Sequence, residues 1–164
     1  MRMSKSVALP GVLSALAIVL AVLEQYVPIQ LFIPLPGIKL GIANVVMLYA
    51  LLRLGFSSSV MILLIRCAVA GLLFGSPVSF LMSLTGGLFS ICIMWLLLRN
   101  RRLFSLCGVS VAGAAAHNVG QIVCAIVVMQ SPYVAAYLPV LLFSGIVTGL
   151  LIAVLSYGAL RLIK

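Results

Sequence analysis

Apolar residues run along this chain in long blocks, without the alternation that marks a half-buried strand. A helix that spans a bilayer needs about 20 mostly apolar residues, with a range near 17 to 25. Polar or turn residues separate six such blocks, at 7–23, 39–52, 58–74, 80–98, 106–129 and 135–160. The pattern predicts an all-α integral membrane protein, a six-transmembrane-helix bundle that forms one domain over residues 1–164. The second span is short.

The amino-acid composition also predicts a membrane protein. The chain is 65% hydrophobic and 7% charged, with a mean hydropathy of +1.40, whereas soluble domains carry about 25% charged residues. So few charges cannot cover a surface in water, and we expect a lipid bilayer around most of the chain. In lipid only helices and closed barrels satisfy every backbone group. The blocks are too long and too uniform for barrel strands.

The ten basic residues are distributed unevenly. With the N-terminus in the cytoplasm, Lys39 alone falls outside and Arg66 falls within the membrane. The cytoplasmic side holds eight: Arg2, Lys5, Arg53, Arg99, Arg101, Arg102, Arg161 and Lys164. The positive-inside rule therefore predicts a multi-pass protein of the cytoplasmic membrane with both termini inside. Topology explains the net charge of +9 better than nucleic-acid binding does.

The first block resembles the start of a secretory signal peptide. It is long for that role, however, and the residues after it, Glu24-Gln25-Tyr26, offer no small-x-small cleavage site. We expect it to be a retained helix.

Polar residues inside the blocks form the first candidate site. Arg66 lies in the third block and His117, Asn118 and Gln121 lie in the fifth, with Asn44 early in the second. Burying a charge in a bilayer costs at least about 2.5–3.5 kcal/mol, so such residues face a partner or a cavity. His117 and Gln121 are four residues apart and share a helix face. Two interpretations stay open: hydrogen bonds that hold helices together, or a path or site for a ligand.

The segment between the first two blocks is the second candidate. It runs from Glu24 to Lys39 and contains three prolines, which prevent a regular helix. We expect either a lid over a cavity open to the outside or a plain hairpin connection. Lys39 begins the second block, where the charge and the helix dipole would favour an anion.

Small residues recur at four-residue spacing in two blocks, as Ala17 and Ala21 in the first and Gly145 and Gly149 in the sixth. Such spacing allows helices to approach closely, either within the bundle or against a partner subunit.

Catalysis by this chain is improbable. It has one carboxylate, Glu24, and no aspartate, which excludes paired acid–base work and an Asp-containing triad. It has no acidic cluster to hold magnesium on a diphosphate and no Walker A sequence. The four cysteines stand apart, so we expect packing rather than a disulfide or a metal site. No cofactor is expected.

Two segments resemble the signatures of the Gx transporter family, also called heptaprenyl diphosphate synthase component I: IPLPGIKLGIAN at 33–44 and GAAAHNVGQ at 113–121. That family is similar to the substrate-binding S components of energy-coupling factor (ECF) vitamin transporters. The resemblance implies a six-helix S component that docks on a transmembrane scaffold subunit with an ATPase pair. It also implies that Ala17 and Ala21 match the docking motif.

The ligand implied by the resemblance is a small, anionic or amphipathic molecule held near the outer face under the first external loop. The expected ligand-binding residues are Glu24, Lys39, Asn44, Arg66, His117, Asn118 and Gln121. The alternative function is a non-catalytic membrane subunit of heptaprenyl diphosphate synthase in isoprenoid quinone biosynthesis.

Overall fold

A computed structural model describes residues 2–26, 39–74, 76–100 and 103–162. The order of its α-helices is α1 (Arg2–Leu23), α2 (Asn44–Arg53), α3 (Phe56–Phe74), α4 (Pro77–Leu98), α5 (Leu106–Met129) and α6 (Leu138–Leu162). Short 3-10 helices follow α1, at Glu24–Tyr26, and precede α6, at Pro132–Tyr137. These ranges contain no strand, so the prediction of an all-α fold is confirmed. Most of the predicted lid, residues 27–38, lies outside the described ranges.

Local sequence accounts for where the helices begin. Ser76 caps α4 by accepting a hydrogen bond from the Ser79 N–H at 3.2 Å, with Pro77 in the first turn. Ser105 caps α5 in the same way through the Gly108 N–H at 3.1 Å. The second helix starts five residues later than its predicted block, because Gly41 has a φ of +80° and interrupts regular helix there.

Four helical segments are long and apolar enough to cross a membrane, at 56–73, 77–98, 106–129 and 132–160. The apolar segments 8–23 and 44–53 are shorter. At 1.5 Å per residue, the ten residues of α2 extend about 15 Å, half of a bilayer core of about 30 Å. The structure thus supports a membrane-embedded helical protein, while six complete spans stay a prediction.

The fifth helix packs closely against both α4 and α6. A Cβ built on Gly120 would lie 2.9 Å from Gly86 Cα, and one built on Gly149 would lie 2.7 Å from Val111 Cα. Ser110 Oγ adds a hydrogen bond of 2.7 Å to the Gly149 carbonyl. The Gly-x-x-x-Gly spacing of α6 therefore serves packing within the chain.

Small residues also lie at close contacts of α1 within the chain, while the predicted partner interface at Ala17 and Ala21 stays a prediction. Ala17 is 0% exposed and Ala21 is 5% exposed. Ala21 packs with Ala43 and Ala70, on the α2 and α3 sides of the bundle. The four-residue spacing thus serves packing within this chain, and the exposed face of α1 carries bulkier residues such as Val12 and Val19.

Candidate functional site

One end of the bundle contains a small cavity enclosed by α1, α3, α4, α5 and the segment before α2. Four of the seven predicted ligand residues line it: Glu24, Lys39, Arg66 and His117. Ser79 and Ser83 of α4 complete its polar wall. The space measures about 10 Å³ for the centre of a water-sized sphere, which is room for about one water molecule. The site is therefore almost filled by its own side chains.

The carboxylate of Glu24 joins the end of α1 to the turn that leads into α2. Its Oε1 accepts hydrogen bonds from the backbone N–H groups of Gly41 and Ile42, the second at 3.1 Å. The side chain is 4% exposed. Burial raises the pKa of Glu24, while the hydrogen bonds and the nearby charges of Arg66 and Lys39 act against that rise. These two N–H groups are bonded to an internal carboxylate, so they are not open to an external anion.

Gln121 fixes the other side of the same segment. With the amide turned so that both of its atoms are satisfied, the side-chain nitrogen donates to the Lys39 carbonyl oxygen at 3.1 Å and the side-chain oxygen accepts from the Lys39 backbone N–H at 3.2 Å. Gln121 is 0% exposed and does not line the cavity. Its amide anchors the backbone on which Lys39 is carried, so Gln121 positions the site from behind.

The imidazole of His117 lies between two glycines on different segments. A Cβ built on Gly41 would lie 3.1 Å from His117 Cδ2, and one built on Gly86 would lie 2.9 Å from His117 Nδ1. Neither position has space for a side chain. The prediction that His117 and Gln121 share a face is confirmed, because both meet the segment that precedes α2.

Arg66 extends from α3 toward α4, where Gly87 leaves room for it. A Cβ on Gly87 would lie 3.3 Å from a terminal guanidinium nitrogen. Arg66 is 4% exposed, and its Nε has no hydrogen-bond partner among the described residues. The buried atoms Ser83 Oγ and His117 Nδ1 also lack partners within those ranges. Three buried atoms without partners thus belong to residues that line one small space, although buried polar groups are nearly always paired.

The charges around the cavity are unbalanced. Arg66 and Lys39 are basic, and Glu24 is the one acid of the chain. Since the Glu24 carboxylate already accepts two backbone hydrogen bonds, the arrangement favours an anion in contact with Arg66 and Lys39.

The structure places the two asparagines away from the cavity wall. Asn118 Nδ2 donates to the Leu141 carbonyl of α6, so it links α5 to α6. Asn44 is 2% exposed beside Gly41, and neither atom of its amide has a partner in the described part of the chain. The polar residues that the sequence groups into one candidate site therefore lie on different faces of α5. His117 and Gln121 meet the segment before α2, whereas Asn118 meets α6.

Sequence reasoning missed the contribution of α4. Ser79 and Ser83 lie four residues apart, and Gly86 and Gly87 follow on the same helix. Their four-residue spacing puts both serines on one face of α4 and could have indicated that this face is polar. The glycine pair makes room for His117 from α5 and for Leu63 and Arg66 from α3, a dependence that appears only once both neighbouring helices are in place.

Metal binding gains no support, since no three His, Cys, Asp or Glu residues come together in the described ranges. A family model described as heptaprenyl diphosphate synthase component I matches residues 13–158. No curated protein and no solved structure matches the chain.

Proposed function

The chain belongs to the heptaprenyl diphosphate synthase component I family, also called the Gx transporter family, and we propose that it is the membrane-embedded substrate-binding component of an ECF-type transporter for a small anion. In this proposal it does not catalyse a reaction. It binds its substrate at the cavity of Glu24, Lys39, Arg66 and His117, and acts with a scaffold subunit and an ATPase pair.

The observation that carries this proposal is the convergence of two basic side chains and of unpartnered polar atoms on one cavity. Asn118, Ser110 and Gln121 hold segments together, and each has a backbone partner. Arg66, Lys39 and Ser83 line the cavity together, and Arg66 Nε and Ser83 Oγ have no partner among the described residues. Two basic side chains at one small space are hard to explain as links between helices alone. A bound anion would supply the missing acceptors.

The orientation belongs to the same proposal. The cavity lies where α1 ends and α3 ends, and the opposite end of the bundle brings together Gly55, Trp95 and Arg99. There Arg99 stacks over the Trp95 ring at 4.2 Å, a pairing suited to a membrane–water interface. With the basic end in the cytoplasm, both termini lie inside, and the cavity lies toward the outer face.

The family name supports a second candidate, a non-catalytic membrane subunit of heptaprenyl diphosphate synthase. In that role the chain would hold a soluble synthase at the membrane. The one acid of the chain is already engaged by backbone N–H groups, so magnesium-dependent prenyl transfer would fall to the partner.

Affinity purification from native membranes separates the two functions. The tagged full-length chain is extracted in mild detergent, and its partners are identified by mass spectrometry. A transmembrane scaffold with two ATPase subunits is expected. Recovery of an Asp-rich soluble synthase in stoichiometric amount, without the ATPase pair, would establish the second candidate instead. Native mass spectrometry of the same sample reports any small molecule that remains bound.

A further inference from the structure

An apolar groove lies directly beside the polar cavity. It runs between α3 and α4, and its lining residues are Ala68, Gly71, Leu72, Ser76, Pro77 and Phe80. Its volume is about 350 Å³. Leu72, which lines it, is 86% exposed, so the groove opens sideways from the bundle. In a bilayer this opening would face lipid chains.

Gly71 and Phe80 line both the cavity and the groove. A Cβ built on Gly71 would lie 3.0 Å from Phe80 Cδ2, so the aromatic ring rests directly on the backbone of α3. One half-buried side chain thus forms much of the wall between the two spaces.

The two spaces are complementary in size and chemistry. The cavity holds about one water molecule, which is too little for an organic ligand, since ligand sites usually measure about 300–1,000 Å³. The groove supplies that volume but is nearly all apolar, whereas the cavity supplies Arg66, Lys39 and the unpartnered His117 and Ser83 atoms.

We propose that the ligand is an amphipathic anion, whose phosphate or carboxylate head lies against Arg66 and Lys39 and whose apolar chain lies in the α3–α4 groove. This rests on the proposed function and names its substrate class. The ligand reaches the site sideways, from the membrane, past Phe80. Arg66 and Lys39 account for the negative charge of the head group. Because the cavity and the groove share a wall at Gly71, one molecule can occupy both.

The test compares probes that share parts of this chemistry. Purified full-length protein in maltoside micelles is titrated with ethyl phosphate, decyl phosphate and decanol, and binding is read from thermal stabilisation and native mass spectrometry. Propionate and undecanoate repeat the comparison with a carboxylate head. Decyl phosphate or undecanoate is expected to bind at least tenfold more tightly than its short counterpart, and decanol is expected not to bind at the site.

Variants assign the binding to the two spaces. Ala68 lines the groove but not the cavity, so Ala68→Phe should weaken long-chain binding at least tenfold and leave short-chain binding unchanged. Ala15→Phe is the matched control on the exposed face of α1. Arg66→Gln should weaken the binding of long-chain and short-chain anions alike. Because partition into the micelle is the same for every variant, the ratio between variants reports the site. Leu72→Trp replaces Ala68→Phe if the latter does not fold.

Different failures have different meanings. Equal binding of short and long anions, with no effect of Ala68→Phe or Leu72→Trp, overturns the groove and leaves the anion site of the proposed function intact. Binding of decanol as tight as that of decyl phosphate identifies a plain lipid groove and also overturns the inference. Absence of any Arg66-dependent anion binding removes the proposed small-anion site itself.

Discussion

The carboxylate of Glu24 and the backbone N–H of Gly41 are hydrogen-bonded across 17 positions of the sequence. This contact sets the start of α2 against the end of α1, and it places Lys39 and the glycine that accommodates His117 at the cavity. The one acidic side chain of the protein is therefore part of the framework of the site.

Removing the Glu24 carboxylate should destabilise the protein. Glu24→Ala leaves the Gly41 and Ile42 N–H groups without their acceptor, and an unsatisfied buried polar group costs about 1–3 kcal/mol. We expect a clear fall in the midpoint of thermal unfolding in detergent. Tyr26→Phe, at a side chain that is 77% exposed, is the control. A Glu24→Ala midpoint equal to that of the control would show that the contact contributes nothing to stability.

Alanine should have opposite effects at two helical glycines. Gly86→Ala would place a methyl group 2.9 Å from His117 Nδ1 and from the His117 carbonyl oxygen, and such overpacking typically costs about 1–3 kcal/mol. Gly158 has no atom within 4 Å of its Cβ position, so Gly158→Ala should be neutral or stabilising by up to about 1 kcal/mol. Denaturation of the two purified variants measures the difference, and equal stabilities would contradict the close packing of α4 on α5.

Leucine at position 17 should disrupt the bundle. Ala17 is 0% exposed, so Ala17→Leu inserts bulk into a packed core. Ala15, two residues earlier, is exposed, and Ala15→Leu should change stability by less than about 0.5 kcal/mol. If Ala17→Leu folds as stably as Ala15→Leu, α1 does not pack in the way described.

Topology can be tested by labelling single cysteines in intact cells. The background carries serine at the four natural cysteines, of which Cys92 and Cys107 are exposed. We expect a membrane-impermeant maleimide to modify Tyr133→Cys, at the outer end of the bundle in our proposal, and to leave Asn100→Cys unmodified until the cells are opened. Modification of Asn100→Cys from outside would reverse the proposed orientation.

The helices and much of the polar cluster follow from the sequence for physical reasons. Block length and the absence of alternation predict membrane helices, because the backbone in lipid must bond to itself. Desolvation cost marks Arg66 and His117 as residues that need partners. Which face each polar group occupies is set by packing: Asn118 and His117 are adjacent in sequence, yet Asn118 meets α6 and His117 meets Gly41 and Gly86.

Burial of Ala17 and Ala21 could not be predicted for a related reason. Small residues at four-residue spacing indicate that another helix approaches closely, but they do not indicate whether that helix belongs to the same chain. The start of α2 was placed five residues early because an apolar sequence gives no sign of the left-handed conformation at Gly41.

The adjacent residues His117 and Asn118 allow a direct comparison of a ligand-facing group with a structural one. Asn118 donates to the Leu141 carbonyl, so Asn118→Ala should lower the unfolding midpoint by the loss of that bond, about 0.5–1.5 kcal/mol. The His117 imidazole fills the space between Gly41 and Gly86, so His117→Ala should also lower the midpoint, through the cavity that it leaves.

Ligand-dependent stabilisation should separate the two variants. A ligand that binds the folded state stabilises it by RT ln(1 + [L]/Kd), about 2.7 kcal/mol at a concentration of 100 Kd. With decyl phosphate as the probe, Asn118→Ala should keep the wild-type increment, while His117→Ala should lose most of it because the cavity loses a polar contact. The measurement is the unfolding midpoint of each variant with and without the probe. If His117→Ala keeps the full increment, His117 is not part of the site. If Asn118→Ala loses it instead, the ligand lies on the α6 side of α5.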